Sequence, residues 1–232
     1  MSSATGVSPV HVEFRNPVRF QQAITAPVER KVLLWLAERT PESISPDHLT
    51  LLGFVAQFLA GASYALARWT DYALLPAALF IAVNWLGDSL DGTLARFRGR
   101  LRPRYGFYVD HMADTFGAVF LMSGLALSGF LHWQIAVGML VAFLVLSVET
   151  YLTTYTTGRF PMSHGLFGPT EIRILLMIGS IALLRWPHVR LWAHDFLLFD
   201  VGGAIAILGM LGMAVTATAR HTVALYREER LP

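Results

Sequence analysis

The sequence predicts an all-α, polytopic membrane protein in which six transmembrane helices follow an N-terminal amphipathic helix at the membrane interface. Of the 232 residues, 54% are apolar and only 15% are charged, whereas about a quarter of a soluble domain is charged. The mean hydropathy is accordingly +0.50. The chain has no cysteine, which excludes disulfides, cysteine-ligated zinc and a thiol nucleophile. A net charge of +2 gives no support to a nucleic-acid partner.

The first 48 residues are expected to form a cytoplasmic segment. Between Pro17 and Thr40 apolar side chains are interspersed with basic ones, which is typical of a helix lying among lipid headgroups. A soluble helix that caps the membrane domain would give a similar pattern, and that alternative stays open. Residues 1–13 lack the basic and apolar regions of a signal peptide.

Six apolar segments make up a membrane domain over residues 49–226, and residues 227–232 form a cytoplasmic tail. Each segment is near the roughly 20 residues that cross a bilayer, although the fifth is short. The predicted spans are Leu49–Trp69, Tyr72–Leu94, Val109–Leu131, Trp133–Tyr155, Ile172–Trp186 and Val201–Tyr226.

The distribution of basic residues predicts the orientation. Of the 18 lysines and arginines, only Arg68, Arg185 and Arg190 fall on one side of these spans. Because basic residues are retained on the cytoplasmic side, both termini and the arginine-rich link between spans two and three are expected in the cytoplasm. A bacterial inner membrane is the expected location.

Spans two and three each carry a pair of aspartates close to that link: Asp88 and Asp91, then Asp110 and Asp114. At about 100° per residue, Asp91 lies about 60° from Asp88 around the helix, so both share one face. Asp110 and Asp114 are one helical turn apart on the next helix. If the two faces meet, four carboxylates converge.

Converging carboxylates in a membrane need compensating charge. Two Mg²⁺ or Mn²⁺ ions would balance four carboxylates, and hard cations suit an all-oxygen site. Alternatively, the aspartates are solvated at the interface and paired with nearby arginines. Gly92 and Ala95 leave a groove on the same face, and Arg96 could hold a phosphate. Metal ions, an arginine and a groove together suit a diphosphate substrate.

The stretch from Asp88 to Asp114 reads D-x2-D-G-x2-A-R-x9-G-x3-D-x3-D. This pattern resembles the signature of the CDP-alcohol phosphotransferase, or phosphatidyltransferase, family. The resemblance implies six spans, a homodimer and transfer of a substituted phosphate group from a CDP-alcohol to a hydroxyl acceptor in phospholipid synthesis, with release of CMP.

The resemblance also implies roles for single residues. The four aspartates would bind two divalent ions, and Asp114 would be the general base that takes the acceptor's proton. The nucleotide would contact Gly92, Ala95, Arg96, Gly106, Thr50 and Asp47. The last two belong to a segment at the start of span one, Ser45 to Thr50, that is similar to a Pro-Asn-x-x-Thr element of the family, with Asp47 replacing the asparagine.

The donor and the acceptor stay open between two branches of the family. Segments around Tyr151 and Gly168 weakly resemble the choline/ethanolamine phosphotransferase branch, whose substrates are a CDP-aminoalcohol and diacylglycerol. Other branches use CDP-diacylglycerol and a polar alcohol, and an anionic alcohol would need a basic pocket. The candidates for the acceptor pocket are Glu149, Arg159, Glu171 and Arg173.

Two other classes of function compete with the enzyme. An ion- or proton-coupled transporter would also carry intramembrane carboxylates, but it predicts charges near the midplane and an internal repeat. A membrane scaffold gives no reason for four aspartates that converge. The sequence therefore favours the enzyme.

Overall fold

The computed structural model describes residues 18–20, 23–161, 168–191 and 194–230. Most of these residues are helical, and two short two-stranded sheets accompany the helices. The helices are α1 (Ala26–Arg39), α2 (Pro46–Leu66), α3 (Leu74–Phe97), α4 (Pro103–Leu127), α5 (Trp133–Thr157), α6 (Pro169–Leu183) and α7 (Leu198–Glu228). The strands are β1 (Val18–Phe20), β2 (Arg159–Pro161), β3 (His188–Leu191) and β4 (His194–Leu197). β1 pairs with β2 in parallel, and β3 pairs with β4 antiparallel.

Helix α2 packs against both α3 and α4, and glycines allow its backbone to approach each of them. A Cβ atom on Gly87 of α3 would lie 2.6 Å from the backbone nitrogen of Gly53 in α2. A Cβ atom on Gly124 of α4 would lie 1.9 Å from the carbonyl oxygen of Gly61. Small residues at such crossings are typical of helices that associate in membranes.

The other helices surround this trio. α1 and α6 both pack on α3, while α5 lies between α4 and α7. A hydrogen bond of 2.5 Å between the hydroxyls of Tyr64 and Ser180, both fully buried, joins α2 to α6. A cluster of buried apolar side chains joins α1 to α2 and α3; it comprises Leu33, Ala37, Leu49, Leu90 and Leu94.

Within the described residues, four helical segments are long and apolar enough to cross a bilayer: Pro46–Leu66, Asp71–Phe97, Trp133–Thr157 and Leu198–Glu228. On α5 a continuous stripe of large apolar side chains is exposed, as expected of a surface that faces lipid; it comprises Val137, Val141, Val145, Val148 and Leu152. The all-α membrane class is thus confirmed. The six-span count stays a prediction, since α4 carries two aspartates and α6 has only 15 residues.

Several helices begin earlier than the hydropathy predicts. α2 begins at Pro46 rather than Leu49, because the Ser45 side chain accepts a hydrogen bond from the His48 backbone and the His48 ring accepts one from Ser45. This is a reciprocal capping box. α4 begins at Pro103 rather than Val109, since proline suits the first helical turn. Polar first turns of this kind are invisible to a hydropathy profile.

The N-terminal helix is shorter than predicted. α1 covers Ala26–Arg39, whereas the sequence pattern suggested a helix from Pro17. Residues 18–20 instead form β1, which lies beside β2. The helix begins where Pro27 fits its first turn.

Candidate active site

Three of the four predicted metal-binding aspartates lie close together between α3 and α4. Asp88, Asp110 and Asp114 each place a carboxylate oxygen within 4.8 Å of the other two. We call these three residues the carboxylate cluster. Asp110 and Asp114 lie one turn apart on α4, and Asp88 faces them from α3, because the close α2–α3 and α2–α4 crossings hold both helices against the same partner.

The fourth aspartate, Asp91, is not in this close group. It is only 9% exposed and accepts a hydrogen bond of 2.5 Å from the hydroxyl of Thr50 on α2. The backbone N–H of Gly92 also donates to it. Thr50, expected to contact nucleotide, therefore contacts a predicted metal ligand in this structure and fixes its orientation.

A narrow cleft between α2, α3 and α4, with a volume of about 10 Å³ and so room for about one water molecule, is lined by all three members of the carboxylate cluster. Its remaining lining residues are Thr50, Gly53, Phe54, Gln57, Asn84 and Ala113. The side chain of Asn84 donates to the Gly53 carbonyl at 2.9 Å and to the Gln57 side chain at 3.2 Å. These two hydrogen bonds join α3 to α2 beside the cluster.

Arg173 of α6 reaches into the carboxylate cluster. One of its guanidinium nitrogens lies 2.7 Å from an oxygen of Asp88, and the other lies 3.9 Å from an oxygen of Asp114. The side chain is only 12% exposed. Sequence reasoning placed Arg173 in the acceptor pocket, and the structure places it directly beside the aspartates.

The predicted nucleotide-binding residues of these two helices lie in the last turns of α3 and the first turn of α4. The Arg96 guanidinium folds back over Gly92, so that a Cβ atom there would meet it at 3.5 Å, and it donates to the Thr93 hydroxyl at 3.2 Å. Ala95 is half-buried on the same helix, and Gly106 is exposed at the start of α4 with open space around it. The open space around Gly106 lies at the start of α4, whereas the Arg96 guanidinium covers Gly92.

Asp47 forms an ion pair with Arg102, which joins the first turn of α2 to the residue before α4. Both side chains are about half exposed. The hydrogen bond that Arg102 donates to the Asp47 carboxylate raises the pKa of Arg102. The structure thus gives Asp47 a bridging contact and leaves its predicted role toward nucleotide untested.

The remaining acceptor-pocket candidates lie in different places. Glu149 of α5 is buried and bonded to the Thr153 hydroxyl at 2.9 Å and to the ring of His221 on α7 at 2.6 Å. Arg159 is exposed in β2. The two hydrogen bonds of Glu149 do not involve the carboxylate cluster.

Glu171, at the start of α6, is buried and binds the far end of the chain. It accepts hydrogen bonds from the backbone and hydroxyl of Thr25, at 2.9 and 2.7 Å, and from the Gly168 backbone at 2.9 Å. Glu171 therefore fixes α6, and with it Arg173, relative to α1.

Sequence reasoning missed a second buried carboxylate, Glu29 of α1. It accepts hydrogen bonds from the Trp85 ring at 3.1 Å, the Ser89 hydroxyl at 3.2 Å and the Thr170 hydroxyl at 2.7 Å. Ser89 directly follows Asp88, so Glu29 fixes α1 against the site. A signal was present: Glu29 shares one helical stripe with the buried Leu33 and Ala37.

Arg98 is the other missed residue. Its guanidinium donates to three backbone carbonyls of the α1–α2 link, those of Ile44, Thr40 and Pro41, at 2.6, 2.8 and 2.9 Å. An arginine in a cytoplasmic link usually needs no explanation beyond membrane orientation. Here it holds the segment that positions Thr50.

A family model described as CDP-alcohol phosphatidyltransferase matches residues 43–218 of the chain. The chain belongs to the CDP-alcohol phosphatidyltransferase family. The match covers the whole aspartate pattern and Thr50, and it confirms the resemblance inferred from the sequence. As a member, the protein is an enzyme of membrane phospholipid synthesis that transfers a substituted phosphate group from a CDP-alcohol to a hydroxyl acceptor.

Relatives of several specificities are similar to this phosphotransferase. An archaetidylinositol phosphate synthase of Pyrococcus horikoshii is 30% identical over 60% of this chain and 70% of its own length. A phosphatidylinositol phosphate synthase of Mycobacterium marinum is 30% identical over 63% of this chain and 62% of its own. Cholinephosphotransferase 1 of Danio rerio is 23% identical over 81% of this chain and half of its own length.

The fold also resembles a solved structure, that of phosphatidylinositol phosphate synthase from Mycobacterium tuberculosis with CDP-DAG bound. The TM-score is 0.51 with 21% identity, over 88% of this chain and 92% of the other. At this identity the likeness supports the shared fold of the phosphotransferase.

The carboxylate cluster of this phosphotransferase fits a hard divalent cation. Its three side chains offer only oxygen atoms, they lie within 4.8 Å of one another, and Mg²⁺ and Mn²⁺ prefer oxygen ligands. Among the described residues, no other three histidine or acidic side chains bring their ligand atoms this close together.

Proposed function

We propose that the enzyme binds two Mg²⁺ or Mn²⁺ ions through Asp88, Asp91, Asp110 and Asp114 at the head of the cleft. The observation that carries this proposal is the convergence of the carboxylate cluster from two helices. When bound, divalent ions neutralise the carboxylates and the charge that develops on the transferred phosphate. The hydrogen bond that Thr50 donates orients the carboxylate of Asp91, the fourth proposed metal ligand, toward α2.

Asp114 is proposed as the general base. It lines the cleft, and its side chain is 36% exposed, against 21% for Asp88. A carboxylate in this position can take the proton of the acceptor hydroxyl while the hydroxyl oxygen attacks the phosphorus that carries the alcohol group of the CDP-alcohol. The bond between that phosphorus and the CMP oxygen then breaks, and CMP leaves.

The nucleotide is proposed to bind beside Gly92, Ala95, Gly106 and Arg96. The exposed Arg96 can donate two parallel hydrogen bonds to the diphosphate. Thr50 and Asp47 border this region from the first turns of α2, and their ties to Asp91 and Arg102 hold that border in place.

We infer that the acceptor is a phosphorylated polyol and the donor CDP-diacylglycerol. A guanidinium beside the reaction centre, that of Arg173, suits an anionic acceptor and would repel a cationic aminoalcohol group. The similarity to the two inositol phosphate synthases points the same way. Of the other acceptor-pocket candidates, Glu171 supports Arg173 indirectly by fixing α6, whereas Glu149 and Arg159 stay candidates on the basis of the sequence alone. The cholinephosphotransferase similarity keeps CDP-aminoalcohol plus diacylglycerol as the alternative.

The proposed arrangement in the membrane has six spans, α2 to α7, with α1 in the cytoplasmic interface. The exposed Val28, Val32 and Trp35 of α1 support the interfacial position. Both termini and the active site would face the cytoplasm of a bacterial inner membrane, and the enzyme would be a homodimer.

A substrate panel tests this proposal. Purified enzyme in lipid vesicles is supplied with CDP-diacylglycerol or CDP-choline, each with inositol phosphate, glycerol phosphate, serine or diacylglycerol, and CMP and lipid products are identified by mass. We expect CMP release only with CDP-diacylglycerol and a phosphorylated polyol, and none after EDTA treatment. A choline lipid as the main product would contradict the acceptor proposal, and full activity in EDTA would contradict the metal site.

A further inference from the structure

Arg173 is a permanent cation at the position where the enzyme is proposed to bind divalent ions. Its guanidinium contacts two members of the carboxylate cluster, Asp88 at 2.7 Å and Asp114 at 3.9 Å. Arginine stays charged at any physiological pH. The side chain is 12% exposed, so water does little to screen its charge.

The arginine and a divalent ion compete for the same carboxylate. Asp88 is a member of the cluster that fits a metal ion. It also forms the shorter of the two ion pairs of Arg173, at 2.7 Å. An ion held by the cluster would lie a few ångströms from the guanidinium, and like charges at that distance in a poorly solvated site repel strongly.

When a metal ion binds, the Arg173 side chain can move, whereas its helix is held in place. Glu171, two residues before Arg173, is buried and fixed by three hydrogen bonds from Thr25 and Gly168. The α6 backbone is therefore anchored at this point. The long side chain of arginine can move its charged end without moving the helix.

We propose that Arg173 is a built-in competitor of the divalent ions: it neutralises Asp88 until metal binds, withdraws as metal takes that carboxylate, and then binds the anionic group of the acceptor. The second half rests on the proposed function. The guanidinium can bind either the carboxylates or the acceptor. Metal binding to the carboxylates therefore releases Arg173 for the anion, and anion binding to Arg173 releases the carboxylates for the metal. Linkage then requires each to raise the affinity for the other.

Metal binding without turnover tests the first half. Mn²⁺ is titrated into the purified protein in lipid nanodiscs, and the free ion is measured by electron paramagnetic resonance. We expect Arg173→Gln to bind Mn²⁺ at least about tenfold more tightly than the natural protein, a ratio that corresponds to about 1.4 kcal/mol. Arg173→Lys, which keeps the charge without the planar fork, should fall between the two.

Arg104→Gln is the matched control, because Arg104 is an exposed arginine in the first turn of α4, the helix that carries Asp110 and Asp114. Its Mn²⁺ affinity should stay within about twofold of the natural protein. Equal affinities for Arg173→Gln and Arg104→Gln would overturn the competition. No Mn²⁺ binding by any of these proteins would instead contradict the proposed metal site on which the inference depends.

The linkage is tested in the natural protein with sulfate as the anion. At constant ionic strength, replacing chloride by sulfate should tighten Mn²⁺ binding at least threefold in the natural protein and in Arg104→Gln, and should leave Arg173→Gln unchanged. An equal effect in all three proteins, or none in the natural protein, would overturn the coupling, whatever the substrate panel shows.

Discussion

Each aspartate of the active site has its own neighbours, and these neighbours separate the roles. Asp91 is held by Thr50 and is almost fully buried. Asp88 is paired with Arg173. Asp114 lines the cleft and has the more exposed side chain of the two that contact Arg173. A group that exchanges a proton with a substrate has to be accessible. Accessibility favours Asp114 and Asp110, at 36% and 39% exposed, over Asp88 and Asp91. The resemblance to the family then favours Asp114 of the two.

Substituting Asp114 by Asn tests the general base. We expect Asp114→Asn to lower kcat by about 10²- to 10⁴-fold while nucleotide affinity, measured by calorimetry, changes little. Asp91→Asn, which changes a proposed metal ligand that is not the base, should weaken Mn²⁺ binding. Asp71→Asn is the control, because Asp71 is exposed just before the opposite end of α3, and it should leave kcat unchanged. An Asp114→Asn enzyme with near-normal kcat would remove this residue from the chemistry.

Close backbone contact between helices, at the scale of the element, decides where the aspartates meet. Gly87 directly precedes Asp88, and its neighbours at the crossing are backbone atoms of Gly53 and Leu49. Backbone atoms cannot rotate away as a side chain can. The sequence predicted which face of α3 carries the aspartates, but not this crossing, because a glycine in a membrane helix has many possible partners.

Substituting Gly87 by Ala tests the importance of this crossing. The added Cβ atom would lie 2.6 Å from the Gly53 nitrogen, so α2 and α3 have to separate at a cost of about 1 to 3 kcal/mol. We expect Gly87→Ala to lower the midpoint of thermal unfolding by several degrees and to weaken Mn²⁺ binding. Gly209→Ala in α7, where nothing lies within 4 Å, should be neutral or slightly stabilising. Equal midpoints for both variants would contradict the argument.

For the whole molecule, local pattern was sufficient for the fold class, the aspartate pattern and the family. It was insufficient for contacts between residues far apart in the sequence. Glu29 and Arg98 looked like ordinary charges because their partners, Thr170 and the α1–α2 link, are identified only by tertiary packing. Arg173 was assigned to the acceptor region by charge alone, and its contact with Asp88, 85 positions away, needed the folded chain.

The six-span arrangement can be tested by labelling single cysteines, since the chain has none of its own. A membrane-impermeant maleimide is applied to vesicles of known orientation. With six spans, Gln134→Cys should react from outside and Thr156→Cys from the cytoplasmic side. If only the four segments Pro46–Leu66, Asp71–Phe97, Trp133–Thr157 and Leu198–Glu228 cross, these two sides are exchanged. Arg68→Cys and Arg185→Cys, outside in both arrangements, and Arg100→Cys, inside in both, are controls.

The hydrogen bonds between α1 and α6 have a consequence for biosynthesis. Thr170 donates to Glu29 and Thr25 donates to Glu171, so two reciprocal contacts join the earliest helix to emerge from the ribosome to one of the last. Until α6 has been translated, Glu29 has its α3 partners Trp85 and Ser89 but not the Thr170 hydroxyl, and Asp88 lacks its arginine. Assembly of this enzyme must therefore finish late, after more than two thirds of the chain has been translated, and a nascent chain arrested before α6 would carry Asp88 and Asp114 without Arg173.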